Sequence, residues 1–128
     1  MNFLLDTHAF LWTVTNDSRL STIARDVIAD GGNAIFLSGV SMWEIVLKAR
    51  VGKLRVEGGP ARFLQRQIRL ARLSTLPIHP AHILQLPALP PLHKDPFDRL
   101  LIAQAQVEDL PLITSDPAIR RYQVHVVW

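Results

Sequence analysis

Short runs of mostly apolar residues alternate along the chain with segments in which apolar residues recur every three or four positions, as in an amphipathic helix. The runs lie at residues 2–5, 34–37, 110–114 and 124–127, and residues 76–78 could add a short fifth. A strand that is apolar on both sides is buried on both faces, which is typical of a parallel sheet covered by helices. The pattern therefore predicts an α/β fold, and such sheets carry their functional residues at the carboxyl ends of the strands.

Helix signals fill the intervals between these runs. Ser21 is a predicted N-cap for a helix that ends before Gly31 and Gly32. Ser41 and Glu44 have the spacing of a capping box, which predicts a helix start at Ser41. The predicted helices cover residues 7–12, 21–28, 41–49, 60–73, 80–86 and 96–105. Helices and strands thus alternate, as the crossover connections of a parallel sheet require.

The clearest helix start lies within residues 93–105, which read HKDPFDRLLIAQA. Asp95 is a good N-cap, because its carboxylate can accept hydrogen bonds from first-turn N–H groups, and Pro96 suits the first helical position. Asp98 is an acid near the helix N-terminus, yet at about 100° per residue it falls on the apolar side of the helix. Because burying an unpaired charge is costly, we expect a cation close to Asp98.

Composition places the chain among ordinary globular proteins. With 128 residues, 48% of them hydrophobic and 20% charged, it has enough apolar material for the core of one domain, which we expect to span residues 1–128. The absence of cysteine excludes disulfides, zinc–thiolate sites and cysteine nucleophiles. No apolar run approaches the roughly 18 residues of a membrane span, and Asp6 comes too early for a signal peptide. We therefore expect a cytoplasmic protein with no membrane partner.

The basic residues are concentrated in one segment. The net charge is +3 and the pI is about 10.0. Residues 48–72 hold 8 of the 14 basic residues but only 1 of the 11 acids, which leaves 6 bases and 10 acids for the rest of the chain. A basic segment beside an acidic remainder indicates a polyanionic partner near an acidic pocket.

Four acids stand where this fold would bring them together. Asp6 ends the first predicted strand, Glu44 lies in the helix after the second, Asp98 opens the helix before the strand at residues 110–114, and Asp116 follows that strand. Singly, each could be a cap or turn residue, and Glu44 could instead pair with the lysine four residues later. Together they predict four carboxylates at one edge of the sheet.

Four carboxylates in one crevice repel one another, which raises their pKa values. A divalent cation relieves this repulsion, and ligands that are all oxygen suit Mg²⁺ or Mn²⁺. With a substrate phosphate in the remaining coordination positions, such a centre can hydrolyse a phosphodiester bond. The acids therefore predict metal-assisted phosphodiester hydrolysis.

Five short motifs follow one another along the whole chain. They are LDTH at residues 5–8, WEI at 43–45, GKL at 52–54, the stretch at 93–105, and TSD at 114–116. Their order and spacing resemble the PIN-domain ribonucleases, and specifically the VapC-like toxins of bacterial type II toxin–antitoxin pairs. The resemblance implies a three-layer α/β/α sandwich with a parallel sheet of four or five strands. It also implies Mg²⁺-dependent endonuclease action on RNA that leaves a 5′-phosphate and a 3′-hydroxyl, a VapB-like antitoxin as partner, and a homodimer.

The resemblance also implies roles for single residues. The metal ligands, binding directly or through water, and the catalytic residues would be the same four acids: Asp6, Glu44, Asp98 and Asp116. Thr114 would support the site by hydrogen bonding. The motifs thus place the proposed chemistry at the edge where the strand ends meet.

Four residues beside these acids have two possible roles each. Asp95 is either an extra acid at the rim of the site or only the helix cap. Arg99 could hold a phosphate or brace a neighbouring carboxylate. His8 could touch the substrate or be a plain polar residue of the rim, and His93 is expected to order the loop before Asp95 rather than to transfer protons.

The predicted helix at residues 60–73 has one basic side, formed by Arg62, Arg66, Arg69 and Arg72. This side could bind the RNA backbone, dock an acidic segment of the antitoxin, or be an ordinary solvated face. Trp12 and Trp43 are expected in the core or at an interface rather than as stacking platforms for bases. RNA and an antitoxin thus remain alternative occupants of the basic side.

Two other functions compete with the nuclease. A Mg²⁺-dependent phosphoryl-transfer domain of the receiver or haloacid-dehalogenase type also places acids at strand ends. A receiver normally shows adjacent early acids and a late lysine, and a haloacid dehalogenase has a second Asp two residues after the first. Here Asp6 is followed by Thr7 and His8, and no lysine follows Lys94. A non-catalytic RNA-binding PIN-like module should have lost one of the four acids, and none is lost, so the sequence favours the nuclease.

Overall fold

The computed structural model describes all 128 residues and contains one parallel sheet with the strand order β3-β2-β1-β4-β5. The strands are β1 (Asn2–Leu5), β2 (Ala34–Ser38), β3 (Ser74–Leu76), β4 (Leu112–Ile113) and β5 (Val126–Val127). The first strand is central, since Leu5 pairs with Leu37 of β2 and with Ile113 of β4. The predicted parallel sheet is confirmed, with five strands.

Six α-helices connect the strands, and two short 3₁₀ turns follow α5 and β4. The helices are α1 (Thr7–Val14), α2 (Thr22–Ala29), α3 (Gly39–Arg50), α4 (Pro60–Leu70), α5 (Pro80–Gln85) and α6 (Pro96–Glu108). None of them is both long enough and apolar enough to cross a membrane. Ser21 caps α2 as predicted, because its hydroxyl accepts a hydrogen bond from the Ala24 N–H at 3.0 Å.

The sheet separates two apolar cores. On one face Phe3 and Leu5 pack with side chains of α1, α2 and α4, and on the other face Leu4 packs with side chains of α6. Neighbouring strand residues point to opposite faces, so a strand buried on both sides must be apolar throughout. Helix α3 contributes to both cores, through Val40 to one and Ile45 to the other. The expected three-layer α/β/α arrangement is confirmed.

The start of α3 differs from the prediction. The N-cap is Ser38, whose hydroxyl accepts a hydrogen bond from the Val40 N–H at 2.9 Å, and the helix begins at Gly39. Ser41 lies inside the first turn, where its hydroxyl is buried 2.9 Å from that of Thr7. The predicted capping box of Ser41 and Glu44 is therefore wrong. The chain turns into the helix as soon as β2 ends, three residues earlier than the box would place it.

The end of α4 corrects another prediction. The helix stops at Leu70, and Arg72 lies in the following turn with a φ of 54°, in the left-handed region. Arg62, Arg66 and Arg69 lie within the helix, whereas Arg72 lies beyond its end and is not part of their basic face. The basic face predicted for this helix therefore contains three of the four arginines.

Candidate active site

The four predicted acids lie at the carboxyl edge of the sheet. Asp6 follows β1, Asp116 follows β4 after Thr114 and Ser115, and Glu44 and Asp98 lie in α3 and α6. The pKa of Asp98 is raised to about 7, mainly by burial and next by the charge of Asp95. Glu44 and Asp6 raise it further, and Asp116 also raises the pKa of Asp6. Asp98 thus interacts electrostatically with Glu44 and Asp6 across this edge, and Asp6 interacts with Asp116.

Asp6 is held from two directions. One carboxylate oxygen accepts a hydrogen bond from the Ala9 N–H at 2.6 Å and caps α1, and the other accepts one from the Thr114 hydroxyl. Burial raises the pKa of Asp6, whereas the bonds from Thr114 and Ala9 lower it. Thr114 also accepts a hydrogen bond from the Asp116 N–H at 3.1 Å. Thr114 therefore links the two acids that follow the central strands.

Glu44 is buried and has partners on both of its carboxylate oxygens. The Thr7 hydroxyl donates to one of them at 2.7 Å, and Lys48 forms an ion pair with the other. The pairing with the lysine four residues later, considered from the sequence, is therefore present. Glu44 is also close enough to Asp98 to raise its pKa, so the ion pair with Lys48 does not remove Glu44 from the acidic edge. A metal ion that takes Glu44 directly would compete with Lys48.

His93 joins the loop before α6 to two of the acids. Its Nε2 lies 2.9 Å from Asp98 Oδ2 and 3.1 Å from Asp116 Oδ2. Its Nδ1 accepts a hydrogen bond from the Asp95 N–H at 3.2 Å. A neutral imidazole has one donor nitrogen and one acceptor nitrogen, so this arrangement assigns the proton to Nε2, where it can be shared between the carboxylates.

The contacts of His93 with the acids were not anticipated from the sequence. The expected loop-ordering role is visible in the bond to Asp95, but Asp116 lies 23 residues further along the chain, and no local spacing connects the two. Thr7, Ser41 and Lys48, which surround Glu44, were also absent from the predicted set. Of these, the separation of four residues between Glu44 and Lys48 was the one available signal.

Asp95 acts as the helix cap. One carboxylate oxygen accepts hydrogen bonds from the N–H groups of Phe97 at 2.8 Å and Asp98 at 3.3 Å. Its charge still raises the pKa of Asp98. Asp95 therefore affects the electrostatics of the site while its own oxygen is used in the first turn of α6.

Arg99 does not lie among the acids. Its guanidinium donates to the carbonyl oxygens of Pro90 at 3.0 Å and Leu89 at 3.4 Å, and to the Tyr122 hydroxyl at 3.3 Å. In this position the guanidinium braces no carboxylate, whereas phosphate binding by Arg99 stays a prediction. The proline-containing connector before α6 offers carbonyl oxygens, and a planar guanidinium with several donors can satisfy them together.

The residues at this edge fit a divalent cation. The metal ligands would be carboxylate oxygens, which are the ligands that Mg²⁺ prefers, and the neighbouring acids raise the pKa of Asp98 in addition to its burial. The ligand atoms of Asp98, Asp116 and His93 lie within 4.8 Å of one another. Because Nε2 of His93 is the donor nitrogen, we assign His93 to hydrogen bonding with the two carboxylates and the metal to their oxygens.

A basic groove opens beside the acids, between α1, the loop at residues 53–58, and α4. Its volume is about 1260 Å³, and Thr7 and Lys48, the two partners of Glu44, are part of its wall. The arginine and lysine residues that line it are Arg19, Lys48, Lys53, Arg55, Arg62, Arg66 and Arg69. Arg72 is not among them. Three of the four predicted arginines therefore line a groove that reaches Thr7 and Lys48, the two partners of Glu44.

Comparisons with known proteins agree with this geometry. Residues 3–124 match the model of the PIN domain, and the chain belongs to the PIN-domain family. No curated protein gives a significant match. The structure of VapBC2 from Rickettsia felis, bound to a DNA fragment from its promoter, is similar with a TM-score of 0.73 and 18% identity, covering 98% of this chain and 97% of the other.

Two further solved structures have the same fold. DNA-bound VapBC from Salmonella typhimurium is similar with a TM-score of 0.69 and 15% identity, and VapBC-5 from Mycobacterium tuberculosis with 0.62 and 17%. Each comparison covers 98% of this chain and 96% of the other. At these identities the likeness establishes the fold, and the functional argument rests on the residues at the acidic edge.

Proposed function

We propose that this protein is a Mg²⁺-dependent endoribonuclease and the toxin of a toxin–antitoxin pair, with Mn²⁺ as an alternative metal. The observation that carries the proposal is the meeting of acids at one edge of the sheet: the ligand atoms of Asp98, Asp116 and His93 lie within 4.8 Å of one another, and Glu44 and Asp6 raise the pKa of Asp98. Such a cluster is unfavourable in the absence of a cation. Membership of the PIN-domain family supports a nuclease, and the similar VapBC structures support the toxin assignment.

In the proposed reaction the four acids hold the metal, directly or through water. When bound there, a metal ion would lower the pKa of a water ligand and offset charge on the scissile phosphate. Thr114 fixes the orientation of Asp6, and His93 fixes Asp98 and Asp116. These hydrogen bonds keep the carboxylates in one arrangement before the substrate arrives, which reduces the reorganisation required during hydrolysis.

We propose RNA as the substrate and a VapB-like antitoxin as the partner, both in the cytoplasm. The similar structures are described as VapBC complexes, or toxin–antitoxin systems, which supports a partner of this kind. A homodimer is supported by the outer side of α3, where Trp43, Val46 and Leu47 are exposed apolar side chains. Trp43 is 52% exposed and packs edge-to-face on Phe97, so it is not a core residue.

The proposed activity is tested by incubating the purified protein with RNA in Mg²⁺, Mn²⁺, Ca²⁺ or EDTA. Cleavage is expected with Mg²⁺ and Mn²⁺ and is expected to stop in EDTA. Ca²⁺ should bind but support cleavage poorly, because its coordination is looser and holds the attacking water less rigidly. The products should carry a 5′-phosphate and a 3′-hydroxyl, which end-specific ligation detects. Full activity in EDTA would eliminate the metal mechanism.

A further inference from the structure

The connector between α5 and α6, residues 86–95, brings His93 to the acidic edge. Its first three residues form a short 3₁₀ turn, and residues 89–95 belong to no helix or strand. The prolines at positions 87, 90 and 91 have no N–H group that could bind a neighbouring element. The other backbone groups of such a segment need partners from elsewhere in the fold, because an unpaired polar group removed from water costs free energy.

The hydroxyl of Tyr122 is a partner for three of these backbone groups. Tyr122 is buried and directly follows the 3₁₀ turn after β4. Its hydroxyl accepts hydrogen bonds from the N–H groups of His93 at 2.8 Å and Leu92 at 3.1 Å, and it donates one to the Pro90 carbonyl at 2.9 Å. A phenolic hydroxyl has one proton and two lone pairs, so these three bonds use its full capacity.

Arg99 holds the same connector from α6. Its guanidinium donates to the carbonyl oxygens of Pro90 at 3.0 Å and Leu89 at 3.4 Å, and its Nη1 lies 3.3 Å from the Tyr122 hydroxyl. The Pro90 carbonyl oxygen has two lone pairs, so it can accept from both side chains at once. Arg99 directly follows Asp98 in the chain, and the connector is therefore fixed relative to the helix that contains this acid.

The connector reaches the acids at His93. The imidazole Nε2 lies 2.9 Å from Asp98 Oδ2 and 3.1 Å from Asp116 Oδ2, whereas the backbone N–H of the same residue is bound by Tyr122. Tyr122 forms no hydrogen bond with any of the four acids. A shift of the His93 backbone would disturb both contacts with the carboxylates together, because the same ring nitrogen makes both of them.

We propose that Tyr122, supported by Arg99, is a positioning residue of the acidic edge. Its hydroxyl fixes the backbone of His93, and the imidazole of that residue then keeps Asp98 and Asp116 at a constant separation. The inference rests on the proposed nuclease function, since it treats these two carboxylates as metal ligands. Mg²⁺ demands a nearly ideal octahedral arrangement of its ligands, so a constant separation of the two groups favours its binding.

The test uses Tyr122→Phe, which removes the hydroxyl and keeps the ring. Calorimetric titration with Mn²⁺ should show an affinity lower by about 3- to 10-fold, a smaller effect than the roughly 10- to 100-fold of a direct partner of metal-binding carboxylates. The matched control is Ser21→Ala, which removes the cap of α2, a helix that contains none of the four acids. This control should lower the melting temperature and leave the Mn²⁺ affinity unchanged.

A double-mutant cycle with His93→Gln separates positioning from a general loss of stability. If Tyr122 acts through the imidazole, Tyr122→Phe should not weaken Mn²⁺ binding further in a His93→Gln protein, although it should still lower the melting temperature. An equal loss of Mn²⁺ affinity with and without the imidazole would overturn the proposal. Unchanged affinity in a folded Tyr122→Phe protein would overturn it as well.

A measurement without metal examines the imidazole directly. In EDTA at about pH 8, where the ring is neutral, the ¹⁵N shifts of His93 in the wild type should show one tautomer, with the proton on Nε2. In Tyr122→Phe the shifts should move toward a mixture of the two tautomers. The same single tautomer in both proteins would contradict the positioning role.

Arg99→Lys is the second variant, and it decides the matter if Tyr122→Phe does not fold. Lysine keeps the positive charge but lacks the planar fork that reaches Pro90 and Leu89 together. Mn²⁺ binding should again weaken, and the loss should again disappear in a His93→Gln background. Unchanged Mn²⁺ affinity in Arg99→Lys would overturn the role assigned to this side chain.

RNA cleavage by the wild-type protein in Mg²⁺ separates this inference from the nuclease function. Wild-type cleavage beside a Tyr122→Phe protein of normal Mn²⁺ affinity would refute the positioning role alone. A loss of Mn²⁺ affinity that depends on His93, without cleavage of any RNA by the wild type, would refute the nuclease and support the positioning role.

Discussion

At the scale of single residues, Asp98 is a carboxyl group whose charged form is disfavoured by its surroundings. Its pKa of about 7 reflects a carboxylate that is partly removed from water and surrounded by other acids. His93 lowers this pKa, but burial and Asp95 have larger effects. The surroundings of this carboxyl therefore disfavour its charged form, and a bound cation would offset that cost.

We expect Asp98→Asn to abolish RNA cleavage and to raise the melting temperature of the metal-free protein near pH 8. The amide has almost the same shape but removes a buried negative charge and its repulsion with nearby acids. The measurements are cleavage in Mg²⁺ and thermal melts in EDTA, beside Asp109→Asn, an exposed acid after α6, as the control. A folded Asp98→Asn protein with wild-type activity would show that the metal site lies elsewhere.

His93→Gln should weaken Mn²⁺ binding by about 10- to 100-fold, because partners that orient metal-binding carboxylates usually have effects of this size. The glutamine loses the bond that joins Asp98 to Asp116. Calorimetric titration of the protein with Mn²⁺ provides the measurement, and His125→Gln, at an exposed position, provides the control. Unchanged Mn²⁺ affinity in His93→Gln would mean that the imidazole only orders its loop.

The residue-scale predictions agree with the structure where they follow from local spacing or from the topology of the sheet, and they miss partners that neither of these reveals. The four acids were placed at one edge because strand ends in a parallel sheet meet there. The cap of α6 by Asp95 was one of two roles considered, and it follows from adjacent residues. Arg99 could not be placed, because its partners are carbonyl oxygens of a connector and the hydroxyl of Tyr122, which no sequence spacing reveals.

At the scale of secondary structure elements, α3 is positioned by its N-cap residue, Ser38. Ser38 ends β2 and caps α3, and its hydroxyl also donates to Gln104 of α6. Gln104 in turn donates to the Pro77 carbonyl at 3.2 Å. One buried polar chain therefore connects the end of β2, the start of α3 and the middle of α6, and this connection fixes the helix that carries Glu44.

Ser38→Ala should reduce the free energy of unfolding by about 2 kcal/mol. About 1 kcal/mol is expected for the lost cap, and leaving the Gln104 carbonyl oxygen without a donor adds about 1 kcal/mol or more. Urea denaturation measures the change, and Ser115→Ala, at an exposed loop position, is the matched control. A loss no greater than that of Ser115→Ala would contradict the assigned cap.

The extent of β2 explains why the start of α3 was predicted wrongly from the sequence. Ser38 and Ser41 are both suitable caps, and Ser41 has the stronger local pattern because Glu44 follows it by three residues. The choice is made by β2, whose pairing with β3 extends through Ser38. Element type was predictable from apolar periodicity, whereas this boundary depends on contacts between elements.

At the scale of the whole molecule, the acidic edge should make stability depend on pH in an unusual direction. The pKa of Asp6 and that of Asp98 are raised above the reference of 3.8, in the latter case to about 7. At these two groups the folded state therefore binds more protons than the unfolded state between about pH 4 and pH 7. Their contribution to the free energy of unfolding falls as pH rises through this range, whereas burial lowers the pKa of His82 and gives a smaller contribution of the opposite sign below its usual pKa of 6.5.

We therefore expect the melting temperature of the metal-free protein to decrease from about pH 4 to about pH 7. In Asp98→Asn the decrease should be smaller, since one of the two raised groups is removed. Mg²⁺ binds the deprotonated carboxylates and should restore stability most strongly above pH 7. Thermal melts across pH, with EDTA or with Mg²⁺, provide the measurement. A metal-free melting temperature that rises steadily to pH 7 would contradict the raised pKa values.

The central position of β1 has a consequence for how the protein is made. The hydrogen bond between Asp6 and Thr114 joins residues 108 positions apart, and β1 must pair with β4 before it can form. At roughly 5–20 residues per second, a ribosome has released the first acid many seconds before Asp116 emerges. During that interval the acidic edge of the nascent chain is incomplete. With the proposed nuclease function, the protein could therefore not cut the messenger that encodes it until translation is nearly finished.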